Sequence, residues 1–172
     1  MSTSIVLTVI TNDRPGIVET LSQTLASHGG NWTESSMLSL AGKFAGILMA
    51  NVPDGQVDDL IADLKSLSLT GLQIVVERTT ALPRPEGARE FSLELVGQDR
   101  PGIVRDITRI LAKHHINVEE LDTECQDASM SGESLFIANA RLLVPSTTSL
   151  SAVQDELENL ANELMVDIKL EE

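Results

Sequence analysis

The sequence predicts an α+β protein that contains two tandem copies of a βαββαβ domain, because a hexapeptide recurs and each half carries the same hydrophobic patterns. Asp13-Arg14-Pro15-Gly16-Ile17-Val18 returns as Asp99-Arg100-Pro101-Gly102-Ile103-Val104, at an offset of half the 172-residue chain. At that offset, twelve of the thirty positions from 5 to 34 are identical to their counterparts. Two copies of one small domain are therefore expected.

Each copy is predicted to begin with a strand and a helix. Residues 5–10 are nearly all apolar, as in a strand at the centre of a sheet. Apolar residues from 17 to 25 recur at helical spacing, and the helix is predicted to end near residues 29–30, where two glycines stand. We expect Pro15 in the first helical turn and Asp13 as its cap.

A hairpin, a second helix and a last strand complete each copy. Strands over 31–40 and 44–52 flank a glycine-bearing turn at 41–43. Apolar residues at helical spacing mark a helix over 57–64, and 72–77 is predicted to be a strand. This order is the ferredoxin-like arrangement, in which both helices pack on one face of the sheet.

The domain boundaries follow from the repeat. We expect one domain over residues 1–80, a linker rich in proline and glycine over 81–90, and the second domain over 91–172. Beyond Glu34 the register shifts by six residues. The extra residues are predicted in Gln126–Gly132, a polar stretch typical of a longer hairpin loop.

The charge balance disfavours nucleic acids and membranes as partners. The chain carries 26 acidic and 12 basic residues, for a net charge of −14, and only four aromatic residues. Nucleic-acid affinity depends on basic side chains that neutralise phosphates, and single-strand binding depends on aromatic platforms. The charge is −4 over residues 1–86 and −10 over 87–172, which suits contact with a basic protein surface or serves solubility alone.

Location and chemistry are constrained by what the sequence lacks. It has no signal peptide and no apolar run long enough to cross a membrane, and Cys125 is its only cysteine. A cytoplasmic protein without a structural disulfide is expected. Common enzyme motifs and metal-ligand spacings are missing, so we expect neither an enzyme nor a metal or other cofactor.

The repeated hexapeptide lies where a strand passes into a helix. A glycine there leaves the backbone accessible, so the N–H groups of Gly16 and Ile17 could bind a small anion at the positive end of the helix dipole. The alternative is that the hexapeptide merely ends a strand and starts a helix. Both interpretations stay open on the residues alone.

A family resemblance supports the binding interpretation. Asn12-Asp13-Arg14-Pro15-Gly16-Ile17-Val18, followed by a helix and then by Gly29-Gly30-Asn31, resembles the ACT domain, a regulatory module that binds amino acids beside many metabolic enzymes. The segment from Gln98 to Val104, with His115-Ile116-Asn117, is similar to it as well. The resemblance covers nearly the whole chain.

The resemblance implies a ligand site at an interface between two domains. The strand–helix loop of one domain and an asparagine that opens the second strand would hold the amino acid. Many amino-acid-binding members have asparagine where Asp13 and Asp99 stand, and a carboxylate only accepts hydrogen bonds. Either the charge orients the ligand, or binding has been lost. The residues implied are Asn12, Asp13, Arg14, Gly16, Ile17, Asn31, Gln98, Asp99, Arg100, Gly102, Ile103 and Asn117.

A regulatory role follows from the resemblance. The chain would sense a small amino acid and act on a protein partner, such as a transcriptional activator or an enzyme, without contacting nucleic acid. The alternative is a ligand-free interaction module. We also expect a homodimer, because edge strands of such sheets can pair. His28 and His114 are expected at helix ends, and the carboxylates between Glu119 and Asp127 on a solvated strand face.

Overall fold

The computed structural model describes residues 1–80, 83–127 and 134–172. The chain forms two compact units, Met1–Leu82 and Pro83–Glu172, called unit 1 and unit 2 below. Each unit contains one four-stranded antiparallel sheet and two α-helices in the order βαββαβ. The predicted α+β class and its tandem ferredoxin-like arrangement are therefore confirmed.

In unit 1 the elements lie close to their predicted positions. The elements are β1 (Ser2–Asn12), α1 (Ile17–Ser27), β2 (Asn31–Leu40), β3 (Lys43–Pro53), α2 (Val57–Ser66) and β4 (Gln73–Thr79). Across the sheet the strands are ordered β2-β3-β1-β4. Because β1 is central, it pairs on both sides, and its alternate residues Ile5, Leu7 and Val9 are buried.

Both helices of unit 1 cover one face of the sheet. The buried stripe of α1 contains Ile17, Leu21 and Leu25, and that of α2 includes Leu60 and Leu64. These side chains form one apolar core with the inward-facing residues of the strands. Isolated helices of ten or eleven residues are marginal in water, so this packing stabilises them.

Unit 2 repeats the arrangement with its own core. The elements are β5 (Arg89–Gln98), α3 (Ile103–Lys113), β6 (Asn117–Asp127), β7 (Ser134–Val144), α4 (Leu150–Leu164) and β8 (Val166–Glu171). The strands are ordered β6-β7-β5-β8. In the core, Ile103, Ile107 and Leu111 of α3 pack with Val153 and Leu157 of α4.

Two stretches differ from the sequence-based expectations. Arg89 and Glu90, which we expected in the linker, belong to β5 because they pair with Val144 and Leu143. Within the expected loop Gln126–Gly132, Gln126 and Asp127 pair with Leu135 and Ser134 and are part of β6. The rest of that loop from residue 128 onward, like residues 81–82 of the linker, lies outside the described residues.

The second strand of each unit has a bulge at the same place. The register shifts between Trp32 and Glu34 in β2, and between Val118 and Glu120 in β6. An extra residue reverses the face to which the following side chains point. Ser39, near the end of β2, therefore points toward the helix-covered face. Among the described residues, no helix is long and apolar enough to cross a membrane.

Candidate functional site

In unit 1 the repeated hexapeptide forms the loop between β1 and α1. The helix begins at Ile17, and its N-cap is Gly16, whose φ of 91° lies in the left-handed region. No side chain caps this helix, so the capping role predicted for Asp13 is wrong. Pro15 precedes the N-cap and lies outside the first helical turn. The left-handed residue accounts for both differences, because it turns the chain before the helix starts.

Asp13 is tied to the β2–β3 hairpin instead. Its N–H donates to the carbonyl oxygen of Gly42 at 2.9 Å. Its carboxylate Oδ2 accepts a hydrogen bond from Ser39 Oγ at 2.6 Å. Beside it, the side-chain oxygen of Asn12 accepts from Lys43 Nζ. These contacts hold the loop against the hairpin and fix the position of the Asp13 charge.

The start of α1 is accessible. The first helical hydrogen bond runs from the N–H of Thr20 to the carbonyl oxygen of Gly16, so the amides of Gly16 and Ile17 precede the helical ladder. Gly16 is exposed, and a Cβ added to it would meet no heavy atom within 4 Å. Arg14 donates from Nη2 to the carbonyl oxygen of Thr70 at 2.8 Å. The helix start can therefore receive a small carboxylate.

The corresponding loop of unit 2 has the same backbone but is covered. Gly102 is the N-cap of α3 with a φ of 98°, and the N–H of Asp99 donates to the carbonyl oxygen of Ser134 at 2.8 Å. A Cβ added to Gly102 would lie 2.9 Å from Arg105 Nη2. Arg105 Nε in turn donates to Asp106 Oδ1 at 2.8 Å. The guanidinium thus lies over the start of α3.

Two substitutions between the copies explain the difference in access. Arg105 and Asp106 occupy the positions of Glu19 and Thr20 in unit 1. In unit 1, Glu19 accepts a hydrogen bond from Gln23 and Thr20 donates to the carbonyl oxygen of Gly16, and neither side chain covers Gly16. In unit 2 the hydrogen bond from Arg105 lowers the pKa of the Asp106 carboxyl, and nearby arginines lower it further. The ionised carboxylate pairs with the guanidinium at the surface, where the Arg105 side chain is 69% exposed.

The two predicted asparagines lie far from these loops within each unit. Asn31 opens β2 and pairs with Asn51, whereas the loop lies near Lys43, at the other end of β3. Eight residues of strand separate those positions, which is about 26 Å. Asn117 is placed in the same way, opposite Leu143. The structure groups the loop residues and leaves Asn31 and Asn117 at the opposite end of each sheet.

The remaining predicted residues differ in accessibility. The side chains of Ile17 and Ile103 are buried in the two cores, so only their backbone amides are available to a ligand. Gln98 is exposed at the end of β5, and Arg100 is half-buried in the following loop.

The sequence patterns did not predict that Ser39 and Cys125 contact the two loops. They are 86 residues apart, at the offset of the repeat, and each side chain lies beside the aspartate of its own loop. Partial desolvation raises the pKa of the Cys125 thiol, and the charge of Asp99 raises it further. The shared offset was a usable signal, but a strand pattern does not reveal which loop a side chain reaches.

The two histidines are at helix ends, as predicted, and each also joins two helices. His28 and His114 are the C-cap residues of α1 and α3. His28 Nε2 lies 3.2 Å from Asp63 Oδ2 of α2, and His114 Nε2 lies 3.0 Å from Glu156 Oε1 of α4. These contacts lie at the opposite end of α1 and α3 from the candidate site, so they stabilise the helix layer.

The carboxylates of β6 are exposed, as expected, apart from Glu119, which lies at the bulge and is only 19% exposed. Arg141 Nε donates to Glu120 at 3.2 Å, and Arg141 Nη1 lies 3.8 Å from Glu119. Among the described residues there is no group of three or more potential metal ligands. An open depression of about 270 Å³ on the sheet face away from the helices is lined mainly by Ser92, Glu94, Glu120, Asp122, Asn139 and Arg141.

Comparisons with known proteins agree with this fold. Residues 3–77 and residues 86–166 each match a family model described as ACT domain. Proteins named glycine cleavage system transcriptional repressor from Escherichia coli (strain K12) and Shigella flexneri are each 27% identical over 164 residues, which covers 93% of this chain and 85% of theirs.

Two solved structures resemble the whole chain. An unknown protein from Galdieria sulphuraria is 33% identical with a TM-score of 0.89, and the match covers 99% of this chain and 98% of that one. A structure described provisionally as a glycine cleavage system transcriptional repressor is 20% identical with a TM-score of 0.68, covers 99% and 96%, and supports the fold alone. Because both units match the family, the chain belongs to the ACT domain family and contains two ACT domains in tandem.

Proposed function

We propose that this protein is a non-catalytic regulator that senses a small amino acid and controls a transcription factor or an enzyme through protein contact. The ACT domains support the sensing role. The relatives named glycine cleavage system transcriptional repressor support control of transcription and make glycine the first ligand to test. The proposal includes a cytoplasmic location and a homodimer.

One observation carries this proposal: the loop that leads into the open helix start of unit 1 also holds Asp13, whose carboxylate is fixed by Ser39. The amides of Gly16 and Ile17 suit the α-carboxylate of an amino acid. Asp13, held by Ser39, suits its ammonium group. A zwitterion satisfies both ends of such a site, whereas a simple anion would be repelled by Asp13.

Unit 2 is proposed as the weaker site. Asp99, Gly102 and the amide of Ile103 repeat the arrangement, with Gln98 and Arg100 alongside, but Arg105 covers the helix start. A ligand would have to displace this guanidinium from Asp106. We therefore propose one ligand per chain, bound in unit 1.

The partner contact is proposed for unit 2. Residues 87–172 carry 17 acidic and 7 basic residues, and many of the acidic ones lie on the sheet strands. A negative surface attracts a basic protein surface and repels DNA, so an effect on transcription would be indirect. A ligand controls such contact only if it binds one arrangement of the protein more tightly than another.

The test is a thermal shift of the full chain with a panel of amino acids. A ligand at 100 times its Kd should add about 2.7 kcal/mol to the free energy of unfolding. Asp13→Ala should remove the shift, because the carboxylate that binds the ammonium is lost, whereas Asp99→Ala should retain it. If Asp99→Ala removes the shift and Asp13→Ala does not, the ligand binds unit 2 and the proposed site is wrong.

The asparagines implied by the resemblance need their own variant. Each asparagine lies about 26 Å from the loop of its own unit, so it can reach the ligand only where two domains meet, as the family resemblance implies. If the site lies at such an interface, Asn31→Ala combined with Asn117→Ala should remove the shift. A shift that persists in the double variant would remove both residues from the proposed site.

A ligand-free interaction module is the second candidate. The hydrogen bond between Asp13 and Ser39 favours it, because the loop is held without a ligand. No shift from any amino acid would support the module. A pull-down from native cytoplasm with and without glycine separates the two functions, since glycine should change the amount of bound partner only if the protein is a sensor.

A further inference from the structure

The sheet of unit 1 has an apolar face on the side away from its helices, called the open face below. Cross-strand pairing places its residues in rows, because Thr8 lies between Ile47 and Val75 and Ile10 lies beside Ala45. Five of the twelve large exposed hydrophobic residues among the described residues lie on this one face. They are Ile10, Leu38, Leu40, Ile47 and Val75, exposed by 46% to 71%, and the half-buried Val6, Ala45 and Met49 lie among them.

The fold itself does not require this apolar character. An antiparallel sheet with helices on one face normally exposes polar residues on the other. The same face of unit 2 is more polar, although Val96 and Ile137 also lie on it. Asn139 occupies the position of Ile47, with Glu94 and Asp122 as its cross-strand neighbours. Two sheets with the same topology therefore differ in what their open faces can bury.

The open face of unit 1 has the size of an interface. Four strands span about 20 Å, and eight residues of strand span about 26 Å, so the footprint is about 500 Å². Two such faces would bury about 1,000 Å² in total, which is the size of a weak, concentration-dependent interface. An exposed apolar patch of about 500 Å² is as large as the largest patch on a typical monomer, and such patches are often functional.

The charges at its rim suit a second copy in an antiparallel orientation. Lys43, on β3, lies at one end of the face. Glu34 and Glu77 lie toward the other end, on the outer strands β2 and β4. A twofold axis perpendicular to the strands would bring the Lys43 end of one copy over the Glu34 end of the other. An apolar centre with a polar rim is the usual composition of an interface.

We propose that two copies of this chain associate through the open faces of their first units, with the two sheets stacked about 10 Å apart. This dimer leaves the edge strands unpaired, so it differs from the edge-to-edge dimer expected from the sequence. It does not depend on amino-acid binding, so its failure would leave the proposed amino-acid sensing and partner contact intact and would bear only on the homodimer.

The experiment is sedimentation equilibrium of the full chain over a wide concentration range. The double variant Leu38→Glu with Ile47→Glu should abolish the dimer, because four carboxylates would be buried in one apolar interface. Val96→Glu, on the open face of unit 2, is the matched control and should leave the dimer unchanged. Circular dichroism verifies that each variant is folded.

A milder variant protects the test against misfolding. Ile47→Asn introduces the residue that unit 2 carries at the same position, so the fold tolerates it, and it should weaken association at least about tenfold. A wild-type chain that is monomeric at every concentration would overturn the proposal, as would a dimer that persists in both open-face variants. In the latter case the edge strands would hold the dimer.

Discussion

The imidazole of His114 and the carboxylate of Glu156 are 3.0 Å apart and connect the end of α3 to α4. Unit 1 makes the same connection between His28 and Asp63 at 3.2 Å. The acidic residue differs between the copies while the contact is retained. The helix layer of each domain is thus joined at the end opposite the ligand loop.

The contribution of Glu156 to stability should depend on pH. Hydrogen bonds from Lys113 and then His114 lower the pKa of its carboxyl in the folded state. The stabilisation is therefore fully present above the unfolded pKa of about 4.3 and is lost as the pH falls through the lower folded pKa. Glu156→Gln should lower the Tm of unit 2 at neutral pH, and the difference from wild type should vanish in acid.

The control for this prediction is Glu158→Gln, an exposed glutamate of the same helix. No ion pair to Glu158 is present among the described residues. The Tm of Glu158→Gln should equal that of the wild-type protein at every pH. A deficit of Glu156→Gln that is unchanged in acid would show that shape, not charge, is responsible.

The Cys125 thiol should react slowly with alkylating reagents. Partial desolvation and the Asp99 carboxylate raise its pKa, so little thiolate is present near neutral pH. Asp99→Asn should lower that pKa and increase the rate with iodoacetamide by up to about tenfold, the change that one pKa unit produces. Asp122→Asn, on the other face of the same strand, should leave the rate unchanged.

Gly16 should resist substitution because of its backbone conformation alone. At a φ of 91°, with no heavy atom within 4 Å of an added Cβ, Gly16→Ala should cost about 1–2 kcal/mol in urea unfolding. Gly16→Asn should cost less, because asparagine tolerates this region better. Gly55→Ala, which also faces open space but lacks a positive φ, should change stability little. Equal costs at both glycines would contradict the conformational explanation.

Core truncations should destabilise the two units to a similar extent. Leu21 of α1 and Leu111 of α3 are both buried in the core of their unit, at positions one helical turn apart in the repeat. Leu21→Ala and Leu111→Ala should each cost about 3–5 kcal/mol, through lost burial and a residual cavity. Leu69→Ala, at a position that is 90% exposed, should stay within about 0.5 kcal/mol of wild type.

The number of bound ligands should change when the cover over unit 2 is removed. Replacing Arg105 and Asp106 by the residues of unit 1, as Arg105→Glu with Asp106→Thr, should uncover Gly102. Isothermal titration should then give two ligands per chain where the wild type gives one. A stoichiometry that stays at one would mean that the guanidinium does not limit access.

Much of the fold could be predicted because periodicity and repetition reinforce each other. The turn residues near Gly29 and Gly42 correctly bounded the strands, and β2 was predicted residue for residue. β1 extends beyond its apolar run to Asn12 because hydrogen bonding to β3 continues past that run. Backbone pairing of this kind has no counterpart in a hydrophobic pattern.

The loop chemistry was harder to predict. Local residue preferences predicted Asp13 as a helix cap. In the structure the left-handed Gly16 is the N-cap, and the Asp13 carboxylate is bonded to Ser39, which is distant in the sequence. The covering of Gly102 depends on the path of one long side chain, Arg105. Neither contact is encoded by spacing along the chain, so both needed the three-dimensional structure.

The bulge in the second strand of each unit restricts how these domains can change in length. Removing a single residue at Thr33 would change the parity of everything after it, so that Leu38 would point inward and Ser39 would lose Asp13. Only changes of an even number of residues would keep the alternation intact. Beyond Glu34 the register between the two copies shifts by six residues, which is such an even number.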